Sequence, residues 1–168
     1  MSGIFSSFER WFRKDKPAPE PFPRDFEPAD VETWQAVSPF TMTSPERIYA
    51  LRAAVRYVVQ SRIPGDVVEC GVWKGGSMMA VARTLLELGE RSRHLYLFDT
   101  FEGMPAPTEA DVDYAGEGAQ AKLERSRKDA RVWAIAPLEG VRQAVLSGGY
   151  DPDRVHFVQG KVEDTIPD

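Results

Sequence analysis

The run Glu69-Cys70-Gly71-Val72-Trp73-Lys74-Gly75-Gly76-Ser77 holds the residue types with most chemical content. A β-rich stretch, 66–72, leads into it and a helical pattern leaves it. That junction is where an open α/β sheet binds ligands, at the carboxyl ends of its strands. Gly71 permits a turn and lets a ligand approach the backbone closely. Gly75 and Gly76 leave room at the helix start, whose free N–H groups favour a carboxylate. The spacing differs from G-x-G-x-x-G, the pattern that brings a helix end against a pyrophosphate. Glu69 also stands two residues before the first glycine. A carboxylate there repels a pyrophosphate and suits an ammonium group, such as that of a methionine moiety. The charges therefore favour S-adenosylmethionine (SAM) over NAD. A tight strand–helix turn without any ligand is the plain alternative.

Asp99 closes a second apolar run, 94–99. An acid at that point can accept both ribose hydroxyls of an adenosine, whichever cofactor carries it. A third run, 154–160, is followed by Lys161-Val162-Glu163-Asp164. Val162 could cover an adenine ring and Glu163 could meet its amino edge. Equally, Glu163 and Asp164 could simply begin a helix, where acids suit the dipole. Glu109, Asp111 and Asp113 alternate in a loop and read as a solvated face rather than a metal site. The surrounding loop, 102–118, is expected to close over substrate. His94 and His156 fall in strand patterns and are expected to be packed. Trp73 reads either as a wall of the cofactor site or as core.

The elements that must position these groups can be traced from the start of the chain. Ile4, Phe5, Phe8, Trp11 and Phe12 recur at helical spacing among basic residues, which predicts a short amphipathic helix. It suits a membrane surface or partner, or packing on the protein itself. Pro17, Pro19, Pro21, Pro23 and Pro28 mark an extended linker, so a first segment covers 1–28. A helical segment or lid covers 29–65. Within it Ser44 can cap a helix with Pro45 at its first position, ended by Pro64-Gly65. Residues 66–168 then alternate strand and helix. The helices are expected near 77–88, 119–128 and 137–146, with Gly89 as an end cap. That order implies parallel strands in a mostly buried sheet.

The chain has 168 residues, a formal charge of −5, 42% hydrophobic and 28% charged residues, which fits a soluble globular protein. The acidic balance argues against a nucleic-acid partner. No apolar run is long enough to cross a bilayer. The start lacks a secretory pattern and Cys70 is the lone cysteine, so a cytoplasmic location is expected.

Three stretches together resemble the macrocin O-methyltransferase family, class I SAM-dependent enzymes that include the tylosin and mycinamicin sugar methyltransferases. They are M-T-S-P-E-R at 42–47, G-D-V-V-E-C-G-V-W-K-G-G-S at 65–77 and F-D-T-F-E-G-M-P at 98–105, with a weaker match near 158–167. The resemblance implies a Rossmann-like fold, a parallel sheet with helices on both faces, truncated here after the third strand. It implies methyl transfer from SAM to a hydroxyl of a small molecule, often a sugar, with a magnesium ion. By position, Glu69 would hold the methionine amino group, Gly71 and Trp73 would line that segment, and Ser77 would contact the carboxylate. Asp99 would bind the ribose, with Thr100 and Phe101 beside it. Met42 and Thr43 would border the cofactor. The family's metal-binding acids lie in an L-D-x-D-x-Y segment and a later D-D-Y segment, beyond the third strand. No metal ligand or catalytic base is therefore assigned, and the chain as written is expected to be inactive alone. The rival readings are a non-catalytic SAM-binding fragment or subunit, and an NAD-dependent oxidoreductase. An open sheet edge predicts self-association into homo-oligomers.

Overall fold

The computed structural model describes residues 22–125 and 133–166. The amphipathic pattern at 4–12 lies outside the described residues. Helix α1 is Pro28–Val37 and α2 is Pro45–Gln60, joined by a 3-10 turn at Ser38–Phe40. Strand β1 (Val67–Cys70), helix α3 (Gly76–Glu87) and strand β2 (Leu95–Asp99) follow. Helix α4 (Ala119–Arg125), helix α5 (Leu138–Leu146), strand β3 (Val155–Gln159) and a short α6 (Val162–Thr165) complete the order.

Local chemistry fixes the boundaries. Pro28 starts α1, and Glu27 and Asp30 form a reciprocal cap. Pro45 opens α2 at its first position as its type predicts, and Ser44 occupies the N-cap position, but its side chain makes no cap hydrogen bond. Helix α3 begins after Gly75 at φ 87°, and beyond its last residues Gly89 sits at φ 71°, the left-handed turn glycine supplies without strain.

The three strands are parallel in the order β1-β2-β3. Register aligns Val67 with Leu95 and Val155, and Glu69 with Leu97 and Phe157. This face meets the helices: Leu95, Leu97 and Val155 join Val37, Ile48, Met78, Leu85, Val141 and Val145 in one core. Each such side chain contributes about 1.5–3 kcal/mol when fully buried. Helices α1 and α2 share that core with the sheet through Val37, Ile48 and Val55. A buried ion network reinforces them. Arg52 on α2, with no exposed surface, pairs with Asp30 of α1 and with Glu87 and Thr84 of α3. Removing one partner of such a group costs about 3–5 kcal/mol.

The opposite face corrects the expectation of a mostly buried sheet. Val68 is 57% exposed and Cys70 is exposed. Residues alternating to that side, Tyr96, Phe98, His156 and Val158, are only half-buried. None of them belongs to the core, so the described helices that cover the sheet do so from the other side. His94 and His156 are packed, as expected: His94 Nδ1 lies 2.8 Å from His156 Nε2, and the His156 ring stacks on Tyr96.

Candidate functional site

Two connected recesses open at the carboxyl ends of β1 and β2, sharing Gly71 and Trp73. The first, of about 330 Å³, is lined by Met42, Thr43, Arg47, Glu69, Gly71, Trp73 and Ser77. The second, of about 720 Å³, is lined by Gly71, Trp73, Asp99, Thr100, Val162 and Glu163. Glu102, Gly103, Met104, Pro105, Ala134 and Lys161 extend its wall. Ten of the residues singled out by sequence therefore lie on these walls. Gly75 and Phe101 do not.

Those two have other work. A Cβ on Gly75 would stand 2.6 Å from Val145 Cγ2, so the glycine admits α5 rather than a ligand. Gly76 lines the first recess, yet a Cβ there would meet the Phe40 carbonyl at 2.6 Å. It thus seats the 3-10 turn against α3. Gly71 differs: it has φ 83° and nothing within 4 Å of an added Cβ, leaving open space. Phe101 is 4% exposed and packs against Phe157 in the core.

Glu69 points into the first recess. Its Oε2 is buried and has no hydrogen-bond partner. Burial pushes this carboxyl up to about 7; a hydrogen bond from Ser77 opposes the rise and the nearby Asp99 adds to it. A buried oxygen of this kind calls for a partner, and a cationic donor would hold it ionised. Ser77 lines the same recess beside Glu69.

Asp99 is fully engaged by the fold. One oxygen accepts from the N–H groups of Val72 at 2.6 Å and Trp73 at 3.0 Å. The other accepts from the Phe101 N–H at 2.8 Å. The carboxylate thus lashes the turn after β1 to the end of β2. It still borders the second recess, where the Thr100 hydroxyl donates a fourth, longer hydrogen bond to it at 3.5 Å. Backbone strain collects here: Trp73 at φ 51°, Phe101 at φ 56° and Ala134 at φ 48° are non-glycine residues in the left-handed region.

Val162 and Glu163 line the second recess, and Glu163 and Asp164 stand in the first turn of α6, so their placement is compatible with either sequence reading and selects neither. In the 102–118 loop, Asp111 accepts from Thr108 and Asp113 pairs with Lys122, which depresses the Asp113 carboxyl to about 2. The loop meets the site through Met104 and Pro105, which also border a further hollow of about 360 Å³.

Arg47 also lines the first recess and was not singled out from the sequence; its available signal was position, a cation at the third residue of a helix, where an acid is preferred.

Residues 19–168 match the family described as Macrocin-O-methyltransferase (TylF). The chain is 34% identical over 134 residues to the 8-demethyl-8-(2,3-dimethoxy-alpha-L-rhamnosyl)-tetracenomycin-C 4'-O-methyltransferase of Streptomyces olivaceus, covering 80% of this chain and 48% of that one. It is 28% identical over 127 residues to the Mycinamicin III 3''-O-methyltransferase of Micromonospora griseorubida, covering 76% and 48%. The solved structure of the O-methyltransferase NovP superposes with a TM-score of 0.59 at 30% identity, covering 76% of this chain and 50% of that one. The chain spans about half the length of the curated relatives it matches.

Proposed function

The chain belongs to the macrocin O-methyltransferase family, and from that premise we propose that it binds SAM and serves methyl transfer to a hydroxyl of a small molecule. The proposed acceptor class is a sugar of a natural product, as the names of the relatives suggest. The observation that carries this reading is the buried, unpartnered Oε2 of Glu69 at the carboxyl end of β1.

The residues fit the cofactor. Glu69 would accept from the methionine ammonium, and Gly71 leaves the space a ligand needs against the backbone. Asp99 and Thr100 border the place proposed for the ribose, with Val162 and Glu163 beside the adenine. Bound there, SAM supplies an electrophilic methyl carbon to an attacking hydroxyl oxygen. The chain's own contribution is orientation, which can provide much of a rate enhancement. Glu69 fixes one end of the ligand and the second recess fixes the other. The 102–118 loop is proposed to exclude water as it covers the acceptor.

Among the described residues no three acidic, histidine or cysteine side chains come together, and no magnesium ligand is assigned. No step is derived through the ion. Among the described residues no helix is long and apolar enough to cross a membrane.

Calorimetric titration with S-adenosylhomocysteine and, separately, NAD tests the proposal. Binding of S-adenosylhomocysteine alone is the expected result. Binding of NAD alone would overturn it in favour of an oxidoreductase, and binding of neither would leave a fragment without a cofactor site.

A further inference from the structure

Trp73 stands where a large side chain is out of place. Its φ of 51° lies in the left-handed region, which a glycine adopts freely and a bulky residue adopts at a cost. The Asp99 carboxylate holds that conformation by accepting from the Trp73 N–H at 3.0 Å. A position that breaks a local rule marks a candidate for function. Packing accounts for part of the ring, since Trp73 lies against the core. The residue nevertheless stays half-buried and lines both recesses.

Gly71 and Trp73 are the two residues that the recesses share. Gly71 has no side chain and faces open space. The side chain at the passage from one recess to the other is therefore that of Trp73. With an ammonium at Glu69 in the first recess and a ribose at Asp99 in the second, the atoms that join them cross at this passage. In SAM the joining atoms include the positively charged sulfur. The Trp73 ring already holds a cation: the Lys74 Nζ lies 4.9 Å from its centroid. That is inside the reach of about 6 Å over which an aromatic face attracts a cation, and tryptophan attracts most strongly. Lys74 is exposed, and its long stem can carry the ammonium away into water.

We propose that the Trp73 ring binds the sulfonium of the cofactor, which takes the place of the Lys74 ammonium on the ring. This rests on the SAM reading of the site and deepens it. Transfer of the methyl group to the acceptor oxygen leaves a neutral thioether, so the contact favours the charged cofactor over the spent one.

Calorimetry with SAM and S-adenosylhomocysteine, which differ by the methyl group and its charge, tests this on the wild-type chain, Trp73→Leu, Trp73→Phe and Lys74→Gln. Trp73→Leu is expected to weaken SAM about 3–30-fold more than S-adenosylhomocysteine. Trp73→Phe keeps a weaker ring and should show a smaller difference of the same sign. A packing role would weaken both ligands alike. Equal losses for the two ligands, or no loss for either, therefore overturn the assignment and leave the SAM reading standing. Should Trp73→Leu not fold, Trp73→Phe carries the test, and an unchanged ratio of the two affinities overturns the assignment. Lys74→Gln vacates the ring and should hold or raise the affinity for SAM relative to S-adenosylhomocysteine; a lowered ratio overturns the assignment. A wild-type chain that binds neither ligand removes the SAM reading and this assignment with it.

Discussion

Glu69 and Asp99 stand at the carboxyl ends of neighbouring strands and border adjoining recesses, yet they are in opposite states. Asp99 accepts hydrogen bonds on both oxygens from Val72, Trp73 and Phe101. Glu69 keeps a buried oxygen with no partner and its carboxyl is raised to about 7. Two acids of similar chemistry and position can therefore do different work. One holds the scaffold's turn in place; the other is left with a buried oxygen unsatisfied. The contrast also explains why Gly71 lies open while Gly75 and Gly76 are closed in by Val145 and Phe40. The turn is packed on its protein side and open at Gly71.

Removing each acid separates the two states. Asp99→Ala leaves the Val72 and Trp73 N–H groups without their acceptor and should destabilise the fold by about 2–4 kcal/mol, read by urea denaturation. An Asp99→Ala chain as stable as wild type would break the contrast. Glu69→Gln should do the reverse. Affinity for S-adenosylhomocysteine should fall about 10–100-fold, while the melting temperature holds or rises above pH 7.

A pH series sharpens the comparison with a smaller effect. The folded Glu69 carboxyl is raised from 4.5 to about 7, so between those values the folded chain binds more protons than the unfolded one. Stability of the free chain should therefore fall as pH rises from about 4.5 through about 7. Affinity for a cationic ligand should move the other way, weakening about tenfold per pH unit below 7 as a proton must first leave. Glu69→Gln should flatten both trends, and trends that persist in this variant would assign them to another group.

Most of the fold was legible in the sequence because its signals are local. Ser44-Pro45 opens α2, Gly89 turns the chain after α3, and short β-rich runs lie between helical stripes. The ends of β1 and β2 follow from the same pattern, so the place of the candidate recesses and the acids that border them were available from residue types and spacing. What tertiary structure decided was the use of each residue. Whether Gly75 serves a ligand or a helix depends on Val145, 70 positions away in the chain. Whether Phe101 lines the site or the core depends on Phe157. Whether Asp99 has free oxygens depends on N–H groups supplied by the turn after another strand. The exposure of Val68 could not be read from its apolar type, because burial is set by what packs over a strand. Composition and periodicity thus determined which elements form and where a ligand would approach. Only the packed chain could show which polar atoms were already satisfied, because satisfaction is a property of pairs brought together by folding.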